Sequence, residues 1–228
     1  MTLPLEARGL RVTAPGGRTL LEVPALDLPA GALVGVRGPS GAGKTTLLYA
    51  LAGLLDAEGS VRWGEADLLS LSSGRRAAFR AGAVGMVFQD FLLFEEMGAL
   101  ANAAVAAMFA PAAARPALRE RAAAGLRALG LDPRASRPVA SFSGGERQRV
   151  AVARALAGGA GILLADEPTA SLHRAAADRL ADDLVRLVRE TGATLVAVSH
   201  DDALIARMDR VLTIADGRLA DDALREAA

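Results

Sequence analysis

Residues 38–46 read Gly38-Pro39-Ser40-Gly41-Ala42-Gly43-Lys44-Thr45-Thr46 and fit the pattern G-x-x-x-x-G-K-[ST]. An apolar run at residues 32–37 precedes the stretch, and a helical pattern at residues 45–54 follows it. In such a unit, glycines let backbone N–H groups surround phosphate oxygens at the positive end of the helix. The sequence therefore predicts a nucleotide phosphate site. The alternative is a chance glycine-rich turn, which the strand before and the helix after the loop disfavour.

Lys44 is the only lysine among the 26 lysines and arginines of the chain. A compact, strongly hydrated ammonium thus stands at the one place where the outer phosphates of a nucleotide need it. The neighbouring Thr45 is placed to offer its hydroxyl to a magnesium ion.

The composition excludes several classes of protein. The 228 residues carry no net charge and the basic residues are spread along the chain, which gives no electrostatic footprint for nucleic acid. Cysteine is absent, which excludes disulfides and thiolate metal sites. The first residues lack the order of a signal peptide, so we expect a cytoplasmic protein. Residues 97–114 are uncharged, but alanine dominates them and Pro111 interrupts them, which favours a packed helix over a membrane span.

Continuous apolar runs predict an α/β fold with a mostly parallel sheet buried on both faces, and helical patterns lie between several of them. These runs are residues 32–37, 84–88, 162–165, 194–199 and 211–214. Shorter extended patterns predict a small antiparallel β layer beside this P-loop core. They are residues 10–12, 19–28 and 60–63.

The strand pattern stops between Gln89 and about residue 140. Residues 99–110 and 115–129 are helical in composition and are separated by Pro111. We expect an inserted helical subdomain, about residues 89–158, within a single domain of residues 1–228.

Two carboxylates, Asp166 and Glu167, directly follow the apolar run at residues 162–165. Ligands bind at the carboxyl edge of parallel strands. Beside a phosphate loop, Asp166 is predicted to hold magnesium, usually through water, and Glu167 to polarise the water that attacks the terminal phosphate. A strand that merely ends in polar residues is the alternative, and it would be preferred if this motif stood alone.

Ser143, Gly144, Gly145 and Glu146 form a second candidate anion site. Ser-x-x-Glu has the spacing of a capping box, which is a purely structural explanation. Two glycines in the first turn are poor helix formers, so we infer that something approaches the backbone closely there. An anion site at a helix N-terminus accounts for both observations.

Taken in order, these motifs resemble the ATP-binding-cassette ATPases over nearly the whole chain. The motifs are the phosphate loop, Gln89 after a strand, residues 143–149, residues 162–169 and Ser199-His200-Asp201. Within that family the chain is similar to the short stand-alone subunits of the lipoprotein-releasing and macrolide-export type. The finer likeness rests on residues 71–73, 79–80, 92–93, 99–100, Asn102 and the Glu-Arg-Gln-Arg form of residues 146–149.

The resemblance implies ATP and Mg²⁺ as ligands and a head-to-tail dimer as the working unit. Each of two ATP molecules would be gripped by residues 38–46 of one subunit and by residues 143–146 of the other. The residues that the resemblance assigns to magnesium are Thr45, Gln89 and Asp166. Those that it assigns to catalysis are Lys44, Gln89, Glu167 and His200. A histidine after an apolar strand is otherwise more often a core or cap residue.

Two positions depart from the family pattern. An aromatic ring for adenine stacking is usual near Ala14, and no aromatic residue lies nearby in the sequence. An aspartate that links the two sites of the dimer is usual where His173 stands. A histidine facing the partner would change its charge near neutral pH, and a solvated residue at a helix start is the alternative.

The implied function is that of an ATPase subunit driving a separate transmembrane permease or mechanical transmitter, with two copies of the chain pairing at the inner face of the cell membrane. We expect docking around residues 89–97 and the helix at residues 99–110. An apolar contact surface is one interpretation of the large side chains there, and core packing is the other. These side chains are Phe88, Phe91, Phe94, Met97 and Met108.

Two other functions remain as alternatives. One is a soluble cassette protein that acts on ribosomes or DNA. Such relatives usually carry two cassettes in one chain or long coiled-coil insertions, and the sequence shows neither. It also lacks the stripe of basic residues that binding to nucleic acid favours. The other is a slowly hydrolysing regulator, suggested by Ala14 and His173. The carboxylate of Glu167 argues against it.

Overall fold

Ten strands form one sheet in a computed structural model that describes residues 2–135 and 137–224. The strands are β1 Leu5–Thr13, β2 Thr19–Leu28, β3 Leu33–Arg37, β4 Glu58–Trp63, β5 Ala66–Asp67, β6 Val84–Val87, β7 Ile162–Asp166, β8 Thr194–Val198, β9 Arg210–Ala215 and β10 Arg218–Leu224. The α-helices of the same residues are α1 Lys44–Leu51, α2 Ser73–Ala83, α3 Ala99–Ala103, α4 Arg115–Ala128, α5 Gly144–Ala157, α6 Arg174–Thr191 and α7 Asp202–Ala206.

The sheet has a parallel half and an antiparallel half. Its strand order is β5-β4-β1-β2-β10-β9-β3-β8-β7-β6. Parallel pairs join β3 to β8 and β9, and join β7 to β8 and β6, whereas β1 is antiparallel to β2 and β4. In the described part of the chain, a single parallel pair, Arg218 opposite Glu22, connects β10 with β2. The predicted antiparallel layer is thus continuous with the parallel core.

Apolar clusters cover both faces of the parallel half. Successive residues of β7 point to opposite faces, so Leu163 joins the cluster beneath α5 and α6 while Leu164 joins the cluster beneath α1. The second cluster also contains Trp63, whose indole N–H donates to the carbonyl oxygen of Leu51 at 2.9 Å. This bond ties the antiparallel half to the end of the helix that follows the phosphate loop.

Helices α3, α4 and α5 pack on one another within residues 89–158 and share an apolar cluster with β7 and β8. The predicted continuous helix at residues 99–110 is wrong, because α3 ends at Ala103 and a 3₁₀ turn follows at Val105–Met108. Alanine favours a longer helix, so tertiary contacts decide the break. Buried Asn102 fixes α3 to the loop before it, accepting from the backbone N–H of Phe94 at 2.8 Å and donating to its carbonyl oxygen at 3.0 Å.

Strands β5 and β10 and helix α2 have no counterpart among the predicted elements. Strand β10 carries mostly exposed side chains, and α2 buries none of its residues fully. Neither element therefore has the apolar pattern by which it would be recognised. Across the described ranges, every helix is too short or too polar to cross a membrane.

Candidate active site

The phosphate loop joins β3 to α1 and has a backbone that requires glycine. Gly38 has φ 151°, and a Cβ there would lie 2.0 Å from the carbonyl oxygen of Ile214. Gly43 caps α1 with φ 102°. These conformations turn the chain sharply between strand and helix, so the backbone N–H groups at the start of α1 face the loop.

Lys44 is 7% exposed and folds back over the loop. Its Nζ donates to the carbonyl oxygens of Gly38 at 2.9 Å and Pro39 at 2.8 Å. An ammonium group has three donors, so one remains for a phosphate oxygen. The lysine both closes the loop and supplies its positive charge.

Asp166 ends β7 and is 2% exposed. Within the described residues, neither oxygen of its carboxylate accepts a hydrogen bond of good geometry, although the Thr45 hydroxyl lies close to it. Burial raises the pKa of Asp166, and the Thr45 hydroxyl and the Lys44 ammonium oppose that rise. A buried carboxylate with free lone pairs beside a hydroxyl offers the hard oxygen donors that Mg²⁺ prefers.

Glu167 has φ 51°, which is uncommon for a residue other than glycine and is typical of functional sites. Its N–H donates to the carbonyl oxygen of Val198 at 2.9 Å, and its carbonyl oxygen accepts from buried Gln148 at 3.2 Å. The carboxylate accepts from the N–H of His200 at 3.3 Å and lies 3.5 Å from its Nε2. Burial raises the pKa of Glu167, while the N–H and the ring of His200 act against the rise.

One cavity of about 650 Å³ gathers eight of the seventeen predicted site residues. It brings part of the phosphate loop together with Gln89, both carboxylates of the acidic strand end, and His200. The predicted residues that line it are Ser40, Gly41, Lys44, Thr45, Gln89, Asp166, Glu167 and His200. The predicted loop residues Gly38, Pro39, Ala42, Gly43 and Thr46 shape the turn without lining this cavity.

The segment Ser143–Glu146 lies outside that cavity. It forms a complete capping box at the start of α5, in which Glu146 Oε2 accepts from the N–H of Ser143 at 2.8 Å and Ser143 Oγ accepts from the N–H of Glu146 at 3.2 Å. The hydrogen bond from the N–H of Ser143 lowers the pKa of Glu146, and the ion pair of its carboxylate with Arg137 lowers it further. Ser143 and Gly144 remain exposed. The capping interpretation is thus correct locally, and it leaves the helix start open to a second molecule.

Several residues of the cavity were not predicted. They are Thr169, Ala170, Leu172, Arg174, Ala177, Val198 and Asp201. Arg174 donates to Asp201 at 3.1 Å from the first turn of α6. Asp201 follows His200 in the sequence and was therefore within reach of prediction, whereas nothing local to Arg174 indicates its contact.

Arg154 is a second unpredicted residue near the site. From α5 it donates to the carbonyl oxygens of Phe91 and Leu92, both at 2.5 Å. These two residues follow Gln89 and have φ 59° and 47°. Burial lowers the pKa of Arg154. A partly desolvated arginine therefore holds a strained turn next to Gln89.

The departures from the family pattern fall outside the cavity. Ala14 lies in the turn between β1 and β2, where its N–H donates to the carbonyl oxygen of Arg18 at 2.9 Å. His173 is exposed at the start of α6 and makes no capping hydrogen bond through its side chain.

The apolar side chains after Gln89 divide between core and surface. Phe91 packs against the cluster beneath α5, whereas Phe94 and Met108 are 51% and 60% exposed. A groove of about 230 Å³ lies next to them, lined by Met97, Ala101, Ala104, Ala107, Met108, Arg115 and Arg119. Both interpretations of these side chains are therefore correct for part of the set.

A phosphate loop between a strand and a helix, facing paired carboxylates at the end of a parallel strand, defines a P-loop nucleoside triphosphatase. The family model described as ABC transporter matches residues 21–170. The chain belongs to the ABC transporter family and is an ATPase subunit of that family.

Similar proteins include subunits named for lipoprotein release. The LolD protein of Hyphomonas neptunium, the ATP-binding protein of a lipoprotein-releasing system, is 41% identical over 211 residues, which is 92% of each chain. The macrolide export ATP-binding/permease protein MacB 1/2 of Paracoccus denitrificans is 41% identical over 225 residues, 96% of this chain and 33% of that protein. The resemblance to both types is confirmed.

Solved structures confirm the fold. The dimeric structure of MJ0796, a bacterial ABC transporter cassette, has a TM-score of 0.88 and 29% identity and covers 98% of this chain and 100% of that one. A post-hydrolysis dimer of MJ0796 bound to ADP and phosphate has a TM-score of 0.86 and 29% identity, with the same coverage.

Proposed function

We propose that two copies of the chain form a head-to-tail dimer that binds two ATP molecules and drives a separate transmembrane protein from the inner face of the cell membrane. The main support for this proposal is that the cavity of one chain contains only part of the predicted ATP site. The cavity holds the phosphate loop and the carboxylates, whereas residues 143–146 lie outside it with an exposed helix start. A second chain would supply that helix start to the same ATP, and the similar MJ0796 cassette is dimeric.

Glu167 is the proposed general base. Burial raises its pKa toward the working pH, which makes the carboxylate a better proton acceptor for the attacking water. Its backbone is fixed at both the N–H and the carbonyl oxygen, so the side chain has a defined position beside His200. His200 would contact the terminal phosphate, and Lys44 would stabilise the charge on the outer phosphates.

Thr45, Gln89 and Asp166 are the proposed magnesium ligands. All three line the cavity, and their donors are a hydroxyl, an amide and a carboxylate. The two unpaired oxygens of buried Asp166 support the assignment, because a divalent cation would satisfy both. When bound, Mg²⁺ supplies positive charge to the phosphates during transfer.

The groove beside α3 and its 3₁₀ turn is the proposed docking site for the membrane protein. It is apolar along α3 and the turn and is bordered by Arg115 and Arg119. Phe94, Met108 and Phe109 are exposed around it. Exposed large side chains next to an apolar groove are typical of a protein contact surface. The name of the MacB relative joins ATP binding with a permease, which supports a permease as the partner.

The variant Glu167→Gln tests the proposal. We expect it to bind ATP, to form a stable dimer with ATP and magnesium, and to lose roughly a hundredfold or more in hydrolysis, as removal of a general base predicts. The matched control is Glu190→Gln on the exposed face of α6. Gel filtration with and without ATP gives the association state, and phosphate release gives the rate.

The same trapped dimer identifies the partner. Isolated from membranes, it is expected to carry an integral membrane protein. A monomer in the presence of ATP, hydrolysis at the control's rate, or recovery with ribosomes or DNA and no membrane protein would each contradict the proposal.

A further inference from the structure

A second cavity of about 520 Å³ lies where α4, α5 and α6 meet. Its lining comes from the C-terminal end of α4, from Arg149 of α5 and from the first half of α6 together with His173. It shares no lining residue with the ATP cavity. Its volume is within the usual range for small-molecule sites.

The lining of this second cavity is strongly basic. Arg127, Arg149 and Arg179 line it together with His173, and Asp183 is its single acidic residue among those described. Arg186 donates to Asp183 at 2.8 Å, so that carboxylate is already engaged. The chain as a whole carries no net charge, which makes this local excess of positive charge a specific feature of the cavity.

The arginines of the cavity retain free donors. In the described part of the chain, neither Arg149 nor Arg179 forms an ion pair, and the Nε of Arg149 is buried without a hydrogen-bond partner. Arg127 is paired with Glu120, which is exposed to solvent and holds it weakly. Two of the three arginines therefore have no carboxylate partner among the described residues and are available to an anionic ligand.

We propose that this cavity is a second ligand site, which binds a small soluble molecule carrying two or more phosphate groups. Arginine guanidinium groups match phosphate oxygens with paired hydrogen bonds, and three of them in one cavity suit a multiply charged ligand. Leu129 and Leu180 are the large apolar residues of the lining, and the described lining contains no Phe, Tyr or Trp ring on which a nucleobase would stack. The ligand is therefore recognised by its phosphates, and it bridges the three helices that surround it.

Inorganic pyrophosphate is the probe. Calorimetric titration with saturating Mg·ADP, which keeps the phosphate loop occupied, is expected to give one pyrophosphate per chain, with affinity falling as salt rises. Arg179→Ala is expected to weaken binding roughly tenfold, the loss of one charge-assisted hydrogen bond. Arg127→Ala, from a different helix, is expected to weaken it as well.

Arg189→Ala is the matched control, because Arg189 is exposed on the same helix, pairs with Asp209 and does not line the cavity. Thermal unfolding of each variant shows that the fold is retained. Absence of pyrophosphate binding, or an equal loss in Arg179→Ala and Arg189→Ala, would overturn the site. Binding to phosphatidylglycerol vesicles in preference to pyrophosphate would contradict the claim that the ligand is a small soluble molecule.

Discussion

Lys44 is held inside the loop that it serves. Its ammonium spans two carbonyl oxygens at 2.9 and 2.8 Å, with only 7% of the residue exposed. A compact ammonium makes these two bonds and keeps a third donor, whereas a guanidinium is a wider planar fork with a different donor geometry. The choice of lysine at this position in an arginine-rich chain is thus a matter of shape as well as charge.

Lys44→Arg is therefore expected to lower ATP affinity roughly tenfold or more and to abolish most turnover, although the charge is unchanged. The reverse exchange at an exposed strand end, Arg37→Lys, is the control and is expected to leave both quantities as they are. ATP binding and phosphate release are measured for each. Near-normal values in Lys44→Arg would mean that the single lysine is an accident of composition.

Asp166 destabilises the protein when nucleotide and magnesium are absent. Its buried carboxylate has no hydrogen-bond partner among the described residues. Burial raises the pKa of Asp166, so the folded state binds this proton more tightly than the unfolded state does. Stability then falls as pH rises from the unfolded pKa to the raised folded pKa.

We expect Asp166→Asn to stabilise the ligand-free protein by roughly 1 kcal/mol at neutral pH, or about 2–4 °C in Tm. Asparagine does not titrate in this range, so the gain disappears in acid, where Asp166 is protonated. Asp56→Asn, at a fully exposed position, is the control. Thermal unfolding across the pH range measures the difference, and a gain that is equal at all pH values would contradict the account.

At the scale of the elements, the turn after β6 depends on α5. Two successive residues, Phe91 and Leu92, have left-handed backbones, each at a cost of about 1–3 kcal/mol. Arg154 offsets that cost with one hydrogen bond to each carbonyl oxygen. Arg154 lies in the last turn of α5, so this contact joins the C-terminal part of that helix to the turn beside Gln89.

Arg154→Lys is expected to loosen this turn, because one ammonium cannot reproduce the guanidinium fork and is more readily neutralised when buried. Turnover should fall several-fold while ATP affinity stays unchanged. Arg121→Lys is the control, since Arg121 also donates to a carbonyl oxygen in the last turn of α5, that of Ala157, which lies outside the turn after β6. Separate measurements of kcat and ATP binding decide, and equal behaviour of the two variants would exclude the positioning role.

The parallel strands were predictable because each is a continuous apolar run. The phosphate loop and the two carboxylates of the acidic strand end were predictable too, because each directly follows one of these runs. Strand β10 was not, since its side chains are mostly exposed and alternate weakly. The contacts of Arg154 and Arg174 were not predictable either. The partners of Arg154 lie 62 and 63 positions away in the sequence, and the partner of Arg174 lies 27 positions away. Only the folded chain brings such pairs together. The sequence therefore predicts the residues that carry the chemistry of the site better than it predicts the contacts that hold those residues in place.

At the scale of the whole molecule, the sheet has two plates, β5-β4-β1-β2 and β10-β9-β3-β8-β7-β6, and the pairing of β2 with β10 forms a narrow bridge between them. Among the described residues, the pair of Arg218 with Glu22 is the only strand pairing between the plates. The Trp63 bond to Leu51, the bond from Arg210 to the carbonyl oxygen of Asp27 and one shared apolar cluster also join the plates, so packing and side chains hold them together more than strand pairing does. The phosphate loop rests on this bridge: the N–H of Gly217 donates to the carbonyl oxygen of Ala42 at 3.0 Å, and Gly43 lies against Leu20. A nucleotide bound by the loop would therefore lie against the place where the two halves of the sheet meet, and its phosphates would be in reach of both.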